Sequence, residues 1–137
     1  MEFPVYTSVH LVKGEDLNHH GTLYAGRTAE WFVESGFIAA ASMTKPENIV
    51  CLRIHGMTFT RPIHRGELPT FTSRIVLTGE TKIVSYIEVS VHGKTAVRGF
   101  ITFIHVDMDG KPLPHGLNFF PQTEEEKTLN NEAQSLN

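Results

Sequence analysis

The chain has 137 residues, 40% hydrophobic and 20% charged, with a formal net charge of −3, which suits one domain with a sizeable core. Its positive charges are scattered rather than clustered, which sets aside nucleic acid as the main partner. No apolar run approaches the roughly 18 residues that span a bilayer, and the opening MEFPVY does not read as a secretory leader. No membrane association is therefore expected, and the lone Cys51, which leaves no intrachain disulfide, points to a cytoplasmic location.

In chain order, the first predicted strand is Val5–Val12, short and rich in β-branched residues. A polar stretch with two adjacent histidines, NHHGTLYAG, then leads into a predicted helix over Leu23–Met43. Ala29, Phe32, Val33, Gly36, Phe37 and Ala40 fall on one stripe at helical spacing. Trp31 and Ile38 occupy the other side, so the helix is expected to be buried nearly all round. Its charges, Arg27, Glu30 and Glu34, lie within about 60° of one another on the wheel.

Four more strands follow. Ile49–Thr60 alternates Val50, Leu52 and Ile54 with Cys51, Arg53 and His55. Thr70–Thr78 and Ile83–His92 alternate likewise, and Thr95–Val106 is rich in Val, Ile, Phe and Thr. Short turns at Thr78-Gly79-Glu80 and His92-Gly93-Lys94 make the last three an antiparallel meander. DMDGKPLPHG breaks regular structure with Gly and Pro. The polar segment 121–137 reads as a frayed helix or a disordered tail behind a single domain over 1–120. The pattern predicts an α+β fold, a five-stranded antiparallel sheet wrapped around one long central helix. Its free sheet edge and helix flank point to a homodimer.

These residues resemble the hotdog-fold acyl-CoA thioesterases. NHHGTLYAGRTAEWFVESGFIAAA is similar to that family's Asn-x-x-Gly, Gly-Gly and Trp-Met-Asp-Glu-Ala-Ala signature. RIHGMTFTRPIHRGELPTFTSRIVLTGETKIVSYIEV resembles its Phe-x-x-Pro strand end, Val-Gly-Asp turn and Arg-Thr-Ser hairpin, and FITFIHVDMDGKPLP its closing strand. The family's Gly-Gly pair reads Ala25-Gly26 here, and Val33 stands where the family carries its catalytic aspartate, with Glu34 next to it.

The resemblance implies hydrolysis of an acyl-CoA thioester at a dimer-interface site, with Asn18 and Glu34 as catalytic residues. His20, Gly21, Ala25 and Gly26 would bind substrate and the oxyanion, because the first N–H groups of a helix are unpaired and lie at its positive end. Arg61, Arg65 and Lys82 would contact the phosphates of coenzyme A. No metal or prosthetic group is implied, coenzyme A entering only as part of the substrate. An acyl carrier protein is the alternative carrier, and a dimer of dimers the alternative assembly. Two other readings stay open: a non-catalytic acyl-CoA-binding protein, supported by Val33, and a hydratase or dehydratase pairing His20 with Glu34. For single residues the plain alternatives are a turn role for Asn18 and a salt-bridged helix edge for Glu34 with Arg27 and Glu30.

Overall fold

The computed structural model describes residues 2–136. Strand β1 (Tyr6–Val9) precedes helix α1 (Ala25–Ala41), followed by β2 (Ile49–Phe59), β3 (Thr70–Thr78), β4 (Lys82–Val91), β5 (Lys94–His105) and helix α2 (Glu124–Gln134). All pairings are antiparallel, in the order β1-β3-β4-β5-β2. The meander predicted from the two turns forms, and β2 joins it on the far side of β5. This is the five-stranded sheet around a central helix that the pattern predicts. No helix among the described residues is long and apolar enough to cross a membrane.

Helix α1 lies on one face of the sheet. Phe32, Ala39 and Ala40 bury against Phe71, Ile75, Ile87, Ile101 and Phe103, which come from the inward-facing positions of β3, β4 and β5. The Ser85 hydroxyl donates to the Gly36 carbonyl at 2.9 Å and ties helix to sheet in the buried layer. The expected all-round burial of α1 does not occur within one chain. Gly26, Glu30, Glu34, Ile38 and Ser42 form an exposed stripe at four-residue spacing. The apolar content of that flank is therefore available to something outside the chain.

Strand β2 has the same character. It pairs with β5 on one side only, and Val50, Leu52, Ile54 and Phe59 are all exposed, Leu52 at 61%. Its register slips between Cys51 and Arg53 and again between Ile54 and Met57. The second slip sets the Gly56 carbonyl against Gly99 on β5, where no side chain intervenes.

The C-terminal segment, expected as a frayed helix or a disordered tail, is a capped helix docked on the sheet. Thr123 caps α2 through a capping box with Glu126, the hydroxyl accepting from the Glu126 N–H at 3.1 Å. Leu129 and Ala133 bury against Val76, Val84, Tyr86 and Phe100 on the sheet face opposite α1. Arg74 pairs with Glu125 and Glu126 at 3.0 and 3.1 Å, and Arg98 with Glu132 at 2.9 Å. Burial, with the hydrogen bond to Glu88, pushes the neighbouring Tyr86 phenol up to about 12. Polar composition misleads here because the helix binds the sheet through charge pairs on top of a narrow apolar stripe.

A register slip between Ile75 and Leu77 frees the Val76 carbonyl from the ladder, and the Asn130 amide donates to it at 2.8 Å. Replacing Asn130 with Ala leaves that buried carbonyl unpaired. The expected cost is about 1–3 kcal/mol, read as a lower urea midpoint at unchanged m-value.

Candidate active site

The loop from Asn18 to Thr22 is organised by one side chain. Asn18 Oδ1 accepts from the backbone N–H of His20 at 2.8 Å and of Thr22 at 3.1 Å. Its Nδ2 donates to Thr22 Oγ1 at 3.0 Å. The backbone closes the same loop, Asn18 N–H donating to the Thr22 carbonyl at 2.7 Å. Asn18 is thus a turn former in the usual sense of a short amide side chain bonding its own backbone. One N–H of its amide remains without a partner among the described residues.

The loop delivers the chain to the start of α1 in an unusual state. Tyr24 is the N-cap, and its side chain makes no capping hydrogen bond. Arg27 and Thr28 both donate their backbone N–H to the Tyr24 carbonyl at 3.0 Å. Ala25 and Gly26 have no acceptor for their N–H groups among the described residues. An uncapped helix start with two free donors is an anion-stabilising feature. The Tyr24 ring lies over Gly26, its Cε2 at 2.4 Å from the position a Cβ would take there, so glycine is what allows that ring to cover the helix start.

The helix start faces a cleft of about 340 Å³. Asn18, Thr22, Ala25 and Thr28 form one wall, and Phe59 and Arg61 from the end of β2 and the following loop form the other. Leu23, Ile63 and Val97 supply an apolar floor. Donors at one end and an apolar floor suit a ligand with a carbonyl on an apolar body.

Asp16 holds this architecture and was not singled out from the sequence. It is 2% exposed, accepts from the Lys13 N–H at 2.8 Å and pairs with Arg27 Nε at 3.4 Å. Its own carbonyl accepts from the Tyr24 N–H at 2.9 Å, fixing the approach to the helix. The available signal was an aspartate directly preceding the Asn18 loop, a pattern too common to weigh without the fold. Thr22 and Thr28, which line the cleft, were missed for the same reason.

The remaining predicted residues are dispersed. Arg27 spends its charge on Asp16 and Glu30, while Glu34 is exposed and enters no ion pair among the described residues. Glu34 lies nine positions beyond Ala25, on the order of 13 Å along the axis, and does not line the cleft of its own chain. Val33 is half-buried and packs against the main core. His20 and Gly21 are exposed at the loop tip, and the His20 ring lies against His19 at 4.0 Å. Arg61 lines the cleft, but Arg65 lies beside Gly14, its guanidinium carbon 3.7 Å from the position of a Cβ there. Lys82 sits with Arg53, His55, Ala133 and Leu136 on the α2 side of the sheet, away from Arg61. There His55 is held below its usual range, first by burial and then by Arg53 and Lys82. No group of three or more His, Cys, Asp or Glu among the described residues is placed to hold a metal.

Residues 20–96 match the thioesterase superfamily. The acyl-CoA thioester hydrolase YciA of Salmonella typhimurium is 31% identical over 111 residues, covering 72% of this chain and 80% of its own. An apo-hexameric acyl-CoA thioesterase superposes with a TM-score of 0.88 at 26% identity, over 96% of this chain and 86% of that one. At 24% identity a hexameric hotdog fold thioesterase of Campylobacter jejuni, Cj0915, shares the fold with a TM-score of 0.70 over 90% of this chain and 94% of its own. The sheet wrapped around α1 is the hotdog fold, and the chain belongs to the thioesterase superfamily.

Proposed function

We propose that the protein is an acyl-CoA thioesterase, cleaving an acyl-CoA to a free acid and coenzyme A. The observation that carries this reading is the uncapped start of α1, where Ala25, with its unpartnered N–H, lines a cleft with an apolar floor together with Asn18. Ala25 and Gly26 donate to the carbonyl oxygen as it gains charge, and the free N–H of Asn18 holds the carbonyl or the attacking water. Glu34 accepts a proton from that water as it adds to the carbonyl. The tetrahedral intermediate collapses with loss of the C–S bond, and the departing thiolate takes up a proton.

Glu34 cannot reach its own cleft, so the carboxylate acting there comes from a second copy. Two features support such a pairing: the exposed α1 stripe that carries Glu34, and the free, apolar edge of β2. A two-fold pairing across β2 would extend the sheet through both chains and bring each α1 flank toward the other. The unit proposed is therefore a homodimer able to build larger assemblies; the structural relatives described above are hexamers. A cytoplasmic location fits the lone Cys51, and the proposed chemistry uses no metal or prosthetic group.

Free thiol release from short, medium, long and aromatic acyl-CoAs, followed colorimetrically, tests the activity. Release from at least one substrate is expected. Saturable binding without release would instead make this an acyl-CoA-binding protein, with Val33 marking a lost aspartate. Asn18→Asp separates the two roles of that residue: it keeps Oδ1 for the His20 and Thr22 N–H groups and loses the amide donor. The melting temperature is expected to stay within a few degrees, with kcat down about a hundredfold. Full activity in this variant would leave Asn18 as a turn residue only.

A further inference from the structure

On the sheet face opposite α1, a cavity of about 210 Å³ lies between the end of α2 and strands β2, β4 and β5. Its walls divide by chemistry. Leu52, Val84, Ala133 and Leu136 make one side apolar, while Arg53, His55 and Lys82 are the only charged or titratable groups lining it. Strand β2 reaches the cavity with two consecutive side chains because its register slips there. Cys51 lies opposite Phe103 and Arg53 opposite Thr102, which leaves Leu52 as the extra residue. A bulge of this kind re-aims side chains and is over-represented beside functional sites.

Helix α2 treats the cations of this face in two ways. It gives Glu125 and Glu126 to Arg74, and Glu132 to Arg98. Toward Arg53 and Lys82 it presents Ala133, with Leu136 just beyond its end, and neither cation forms an ion pair among the described residues. His55 Nε2 lies 2.6 Å from the Thr102 hydroxyl oxygen, which holds the ring in the cavity. Burial, and then the charges of Arg53 and Lys82, keep that ring below its usual range. Unpaired positive charge facing an apolar wall suits a ligand with an anionic head and an apolar tail.

We propose that this cavity binds a carboxylic acid with an aliphatic tail, its carboxylate held by Arg53 and Lys82 and its tail laid between Leu52, Val84 and the end of α2. At about 30 Å³ per water-sized group, the cavity takes roughly seven non-hydrogen atoms, the size of butyrate or hexanoate. Such an acid is the class of product that the thioesterase reading assigns to the cleft, and to that extent the proposal rests on that reading. The cavity shares no lining residue with the cleft, so an acid bound there does not take the place of the substrate. Strand pairing uses backbone groups and leaves side chains on the two faces, so a dimer formed along β2 keeps this cavity.

The test is isothermal titration calorimetry of the whole protein with hexanoate. Saturable binding is expected, weakened about tenfold by Arg53→Ala and by Lys82→Ala, each of which removes one charge-assisted contact. Both side chains are exposed, so the variants are expected to fold as wild type does. Asn18→Asp alters the cleft and is expected to leave this binding unchanged; its loss in that variant would put the acid in the cleft and overturn the proposal. The second readout is the His55 ring, followed by NMR. A carboxylate beside it favours the charged form, so its titration is expected to move upward on binding and affinity to rise as pH falls through that range. Arg53 on β2 and Lys82 on β4 are the charged groups that face the ring across the cavity, with none from β5 or α2. Hexanol binding as tightly as hexanoate, or inorganic phosphate binding more tightly, would overturn the carboxylate assignment. No saturable binding would leave Arg53 and Lys82 as complements of the C-terminal end of α2 and overturn the site. Calorimetry needs no turnover, so the two readings fail separately. Hexanoate bound without thiol release removes the thioesterase reading alone, and thiol release without hexanoate binding removes this site alone.

Discussion

Replacing Glu34 with Gln is expected to lower kcat for acyl-CoA cleavage by about a hundredfold or more, with KM changed by no more than a few-fold. The substitution keeps the size and hydrogen-bonding reach of the side chain and removes only the capacity to take a proton. Within one chain Glu34 is exposed and in no ion pair among the described residues, so the stability of the chain's own fold is expected to move by less than about 0.5 kcal/mol. A loss of rate therefore reads as chemistry and not as unfolding. Val33 packs into the core and has no proton to exchange, which leaves Glu34 as the first carboxylate past the family's aspartate position. Turnover unaffected by the substitution would keep the enzyme and remove Glu34 from its mechanism.

The largest stability effect is expected at Gly99→Ala. A Cβ at Gly99 would lie 2.1 Å from the Gly56 carbonyl oxygen and 3.0 Å from Phe32 Cζ. The first contact is with backbone in the paired strand β2, at a register slip where Gly56 itself has φ of 120°. Neither side can yield by turning a side chain. The strands must separate or Phe32, which is fully buried, must leave its place in the core. A loss of about 2–3 kcal/mol is expected, at the upper end of overpacking costs, measured as the shift in urea midpoint. Because β2 is also the proposed dimer edge, the same variant is expected to weaken association. Wild-type stability in Gly99→Ala would mean that the two strands are not packed as described.

Much of this architecture could be read from the chain because period-two and helical patterns report directly on which face is buried. Thr70–Thr78 was predicted with the bounds the structure gives it, and the other strands differ by a few residues. Where the patterns failed, the cause was specific. The α1 flank carrying Ile38 was read as buried because a pattern cannot distinguish burial within a chain from burial against a copy. The docking of helix α2 was missed because its binding to the sheet uses Arg74, Arg98 and Asn130, a set of pairings visible only once the outer face exists. Its capping box at Thr123-Glu124-Glu125-Glu126 was nevertheless legible. The candidate site was legible in its loop, where Asn18, Ala25 and Arg61 meet at one cleft. It was not legible in its support, since Asp16 acts through a contact with Arg27 that only the fold brings near.

A site divided between two chains is tested most directly by subunit complementation. Asn18→Asp and Glu34→Gln proteins, each nearly inactive alone, are dissociated together, allowed to reassociate and assayed for thiol release. In a mixed dimer one site draws Asn18 from one chain and Glu34 from the other, both intact, while the second site carries both substitutions. Random pairing is then expected to restore about a quarter of wild-type activity. No recovery, with mixed dimers demonstrated by mass spectrometry, would contradict the shared site and require the carboxylate to act within its own chain.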